Sequence, residues 1–134
     1  MKAFFEKIKD LFNKFVEKTD IIGRVLFCVP LIIYGVKHFL GAKEIGERLP
    51  DYFPSPEIWI YAIGVFLLAS AISILTKKAI KWGAFMLGIM LFLFVFFIHL
   101  PEMFDEEVIQ SDFPGFLGNL GFMGAAFFIS SKAE

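Results

Sequence analysis

The sequence predicts an all-α fold, an integral membrane four-helix bundle with an N-terminal amphipathic interfacial helix. Three observations predict it. Apolar residues make up 57 % of the 134 residues and include nineteen phenylalanines. That is well above the roughly 45–50 % of soluble domains and hard to bury in so small a core. Four apolar runs each approach the ~20 residues that a helix needs to cross a hydrocarbon core. The links between those runs alternate in charge.

The first element is the amphipathic one. Phe4, Phe5, Ile8, Leu11, Phe12, Phe15 and Val16 recur three and four residues apart, with charged residues between them. That spacing puts them on one helical face. Residues 1–19 therefore read as a helix on the cytoplasmic membrane surface, its phenylalanines dipped into the leaflet. Asp20 is placed to cap the first span and break the chain direction. A docking face for a cytoplasmic partner is the alternative use of the same stripe. No uninterrupted apolar region or small-residue cleavage site of a secretory signal occurs in this stretch.

Residues 20–134 form the second unit, with spans predicted at 21–40, 57–76, 80–100 and 113–131. Lipid offers no water to unpaired backbone groups, so each should be helical. Pro50, Pro54 and Pro56 stiffen the link over 41–56. Tyr52, Phe53, Trp59 and Tyr61 fall near the water interface, where amphipathic rings settle. Small residues permit close helix contact. Span two offers Gly64, Ala69, Ser70, Ala71 and Ser73, and span three offers Gly83, Ala84 and Gly88. Span four repeats glycine every third residue at Gly115, Gly118, Gly121 and Gly124. It is therefore expected to pack most tightly inside the bundle.

Loop charge gives the orientation. Lys2, Lys7, Lys9, Lys14, Lys18 and Arg24 surround the N-terminus, and Lys77, Lys78 and Lys81 fill the second link without an acid. The last link carries Glu102, Asp105, Glu106, Glu107 and Asp112 and no base, while the first is mixed, with Lys43 and Arg48 against Glu44, Glu47 and Asp51. Lys and Arg concentrate on the cytoplasmic side. Both termini should then be cytoplasmic, in a multi-pass protein of the cell (inner) membrane.

Composition also removes function classes. A net charge of −1 gives nucleic acid no electrostatic footprint. Cys28 is the single cysteine, so one chain can build neither a disulfide nor a Cys-x-x-Cys relay. It reads as a small buried hydrophobe. Residues 25–36, 58–76, 82–98 and 113–131 contain no Asp, Glu, Lys, Arg or His. Intramembrane ionisable groups mark ion paths and proton relays. Their absence disfavours a pump or small transporter and removes haem ligation near the midplane.

The polar exceptions share one depth. His38 closes span one, Glu57 opens span two, His99 closes span three, and Asn119 lies about two turns into span four. Two readings stand side by side. Each residue simply marks a helix end, with Asn119 bonded to a neighbouring helix. Alternatively the four line a pocket in the outer leaflet that binds the carbonyl of a quinone or a lipid head group. No metal is expected, because neither histidine has an i, i+3 or i, i+4 ligand partner on its helix. No serine stands near either histidine, so no hydrolytic triad is expected.

The run "GVKHFLGAKEIGERLPDYFPSPEIWIYAIGVFLLASAISIL" resembles the DoxX family of small four-helix membrane proteins. Gly35 and His38-Phe39 close the first span, a proline-containing loop comes next, and aromatics precede Gly64 and "LLA". "KKAIKWGAFMLGIMLF" is similar to the family's basic link and third span, and "GNLGFMGAAFF" to its fourth. The resemblance covers about residues 21–131 and leaves the amphipathic helix outside. It implies a link to sulfur oxidation and quinone reduction, as a membrane subunit of thiosulfate:quinone oxidoreductase, or to oxidative-stress complexes. Catalysis by this chain alone is not expected, since it carries no thiol relay or cofactor motif. The functional expectation is a non-catalytic subunit or scaffold of a larger membrane complex, with lipid and other membrane subunits as partners. The alternative is a quinone- or lipid-binding oxidoreductase subunit.

Overall fold

The computed structural model describes residues 1–47, 49, 52–104 and 109–133. The link residues Arg48, Pro50, Asp51, Asp105, Glu106 and Glu107 lie outside the described residues, and so does the charge reading that rests on them. The described residues form α1 (Lys2–Leu40), the short α2 (Ala42–Gly46), α3 (Pro56–Thr76) and α4 (Ile80–Phe94). α4 continues as a π-helical turn (Val95–His99) and then α5 (Leu100–Glu102), and α6 (Ile109–Lys132) completes the chain. Four helices are long and apolar enough to cross a membrane. α1, α3, α4 and α6 pack in chain order, each against the next.

α1 departs from expectation. It is one unbroken helix of 39 residues, roughly 58 Å at about 1.5 Å per residue, twice a hydrocarbon core of about 30 Å. Asp20 neither caps a span nor breaks the helix. Its carboxylate is taken by Arg24 one turn on and by Lys77, at 3.1 and 2.9 Å. No proline lies between Lys2 and Val29 to stop the helix, and Gly23 only lowers helix propensity. The apolar stripe from Phe4 to Val16 is exposed along its length.

Local chemistry sets the other boundaries. Pro56 occupies the first turn of α3, where its missing N–H is no loss. α3 and α4 are joined by only three residues, 77–79, with Lys77 and Ala79 in the left-handed region at φ 59° and 53°. Such a conformation costs a non-glycine residue about 1–2 kcal/mol. Hydrogen bonds hold it: the Ser73 hydroxyl donates to Lys78 O at 2.8 Å, and Lys78 N–H donates to Thr76 Oγ1 at 3.4 Å. In the link before α3, the Trp59 indole donates to Pro54 O at 3.0 Å and Phe53 stands edge-on to Trp59.

The core lies where α3 and α4 meet, around Leu67, Ala71, Ile74, Ala84 and Leu87. α1 adds Cys28, whose thiol donates to Ala71 O at 3.6 Å, as suits a small buried hydrophobe. Glycine sets two close approaches. A Cβ on Gly64 of α3 would stand 2.9 Å from the Phe39 ring and 3.1 Å from Gly35 O of α1. A Cβ on Gly88 of α4 would stand 2.6 Å from the Phe127 ring of α6.

The glycines of α6 behave oppositely, and this corrects the expectation of tight internal packing. Gly118, Gly121 and Gly124 have nothing within 4 Å of an added Cβ. α6 enters the bundle instead along Asn119, Met123, Ala126, Phe127 and Ser130, of which Ala126 and Ser130 are buried. Glycine every third residue drifts off a 3.6-residue face, so the repeat turns away from that side. Between α1 and α6 the rings of Phe27 and Phe122 meet, with centroids 5.3 Å apart.

Candidate functional site

The four polar residues predicted to share one layer separate into a pair and two singles. His99 stands in the π-helical turn that ends the third span. Pro101 lies two residues beyond. It has no N–H for the carbonyl four residues back, and its ring crowds that carbonyl. The turn before it widens, and Leu100 N–H donates to Val95 O, five residues back. One extra residue in a turn rotates the downstream side chains by about 100° relative to a plain α-helix. His99 is thereby aimed at α6.

Asn119 receives it. Its amide Nδ2 lies 2.8 Å from His99 Nε2 and also donates to Gly115 O at 3.1 Å. The amide donates to Nε2 in the tautomer that carries the histidine proton on Nδ1. Both residues of the pair are half-buried.

His38 and Glu57 do not join it. His38 Nδ1–H donates to Tyr34 O of its own helix at 2.7 Å. Glu57 is exposed in the first turn of α3, where a carboxylate complements the positive end of the helix dipole. Among the described residues no three His, Cys, Asp or Glu side chains converge to hold a metal. A shallow apolar groove of about 280 Å³ runs between α1 and α6, lined by Phe27, Gly118, Gly121, Phe122 and Ala125.

At the opposite end of the bundle the structure shows a contact that sequence reasoning missed. Arg24 of α1 reaches the last turn of α3, donating from Nη1 to Leu75 O at 2.9 Å and to Ile74 O at 3.5 Å. Its Nη2 holds Asp20, which also holds Lys77. Lys77 and then Arg24 keep the Asp20 carboxyl below its ordinary range. An i, i+4 acid–base pair at the head of a span is the signal available in the sequence. The reach to α3 carbonyls left free by the helix end is not.

The DoxX family model matches residues 19–100 of the chain. The match takes in α1 from Thr19, α3, α4 and His99. It leaves out α6, with Asn119 and the stretch resembling the family's fourth span, and the N-terminal half of α1. Neither a curated protein nor a solved structure matches the chain. More than half of the chain fits the family's pattern, and the four membrane-crossing helices agree with it: the chain belongs to the DoxX family.

Proposed function

We propose that this DoxX protein is a non-catalytic subunit or scaffold of a larger membrane complex, with both termini in the cytoplasm. The open glycine face of α6 carries the reading. Each glycine in a helix interior costs about 1 kcal/mol relative to alanine. At Gly35, Gly64, Gly83 and Gly88 that cost is matched by a neighbour in close contact. At Gly118, Gly121 and Gly124 no neighbour among the described residues lies within 4 Å of an added Cβ, and fluid lipid tails do not need a glycine surface. A helix of another subunit does, and the groove beside Phe27 and Phe122 leaves room for its side chains. The exposed apolar stripe over residues 1–19, on a helix that runs unbroken into the first span, is a second face open to such a partner.

Gly121→Leu tests this. Among the described residues nothing lies within 4 Å of a Cβ added at 121 and the groove beside it is open, so the thermal midpoint of the isolated protein should move by no more than about 3 °C. Stoichiometric partners retained in mild detergent should be lost. A native chain that emerges alone from such a purification, by native mass spectrometry, would remove the reading.

The π turn that aims His99 at Asn119 favours a second reading, a site for the carbonyl of a quinone or lipid head group. His99→Ala should then weaken quinone binding about tenfold, the worth of one buried hydrogen bond of about 1.4 kcal/mol. Unchanged affinity in a titration would dismiss His99 as a contact.

A further inference from the structure

The end of the bundle that holds the α3–α4 turn gathers base from α1, α4, α6 and the turn itself. Asp20 to Lys77 at 2.9 Å joins α1 to the turn, and the Ser130 hydroxyl to Lys81 O at 2.9 Å joins α6 to the start of α4. Lys18, Arg24, Lys77, Lys78, Lys81 and Lys132 therefore lie at one end, with Glu17 and Asp20 as the acids there among the described residues. Asp20 is already shared by Arg24 and Lys77. Lys78 and Lys81 are exposed and make no ion pair among the described residues. The first turn of α4 holds no acid, and Ala79 supplies no side-chain cap. Trp82 is the next residue, 67 % exposed, as an indole at head-group depth would be.

We propose that this end binds the phosphate of an anionic phospholipid head group, held by Lys78 and Lys81 with Trp82 packed beside the glycerol region. Compact ammonium groups suit a phosphate as point charges. The surplus of positive charge selects a lipid with net negative charge over a zwitterionic one. Each lysine at such a surface contributes roughly fivefold in affinity.

Native mass spectrometry of the full chain, released from mixed phosphatidylglycerol and phosphatidylcholine micelles, reads this directly. The native protein should retain phosphatidylglycerol at least about fivefold over phosphatidylcholine. The double variant K78Q/K81Q should fall to near parity, and K78R/K81R should keep the preference, which separates charge from damage to the fold. Equal retention of the two lipids, or a preference that survives K78Q/K81Q, would overturn the assignment. A competition arm with inorganic phosphate distinguishes the sources: the lipid should stay bound in millimolar phosphate, and its displacement would refute a lipid site.

Discussion

Gly64→Ile should lower the thermal midpoint in mild detergent by about 10 °C, a loss of about 3 kcal/mol. The position tolerates no side chain as it stands. The first carbon would already press on the Phe39 ring at 2.9 Å and on Gly35 O at 3.1 Å. The ring can turn, but the backbone of α1 can yield only by moving the whole helix. Interiors this dense pass strain on rather than absorb it. Three further carbons would drive α1 and α3 apart along the part of their contact nearest His38. Gly64→Ala should give an intermediate loss. A Gly64→Ile protein that melts with the native one would show that the two helices do not approach as closely as described.

The second large effect is expected at the other end of the same helix pair. Arg24→Ala removes the donors to Leu75 O and Ile74 O and one of the two cations on Asp20. Hydrogen bonds from a charged donor are worth about 1.5–3 kcal/mol. The Arg24 side chain is only 15 % exposed, so water replaces it poorly, and a loss of about 2 kcal/mol is expected. Arg24→Lys should recover only part, because one ammonium cannot bond Asp20 and the carbonyls in the geometry of a guanidinium fork. The pH profile offers an independent check. Asp20 has a lowered pKa in the folded chain, with Lys77 the first cause and Arg24 the second. Its contribution is therefore complete above the ordinary carboxylate range and is lost as pH falls through the lowered value. The native protein should lose stability toward acid more steeply than Asp20→Asn, and equal acid limbs would exclude the latch.

The spans were legible because their cause is local. Charge-free apolar runs of membrane length, closed by Pro56 and by the lysines at 77 and 78, leave the backbone little choice in lipid. The helix ends of α3 and α4 coincide with the predicted ones to within a residue once the π turn is counted with α4. The continuity of α1 was less legible, because Asp20 has the chemistry of a cap. Only the distant Lys77 and the neighbouring Arg24 decide that its carboxylate goes elsewhere. The glycines of span four were legible as a small face, but its direction was not, since sequence shows that a face is small and not what lies opposite. For the polar layer, helix rise gave depth but not azimuth. His99 and Asn119 meet through a widened turn that hydropathy cannot register, whereas His38 turns back on Tyr34 O.

The order of packing has a consequence for biogenesis. α1 meets α3, α3 meets α4 across a three-residue turn, and α4 meets α6. Every major contact thus joins a span to the one synthesised just before it. No segment must wait in lipid for a later arrival, and the bundle can assemble in the order in which the ribosome delivers it.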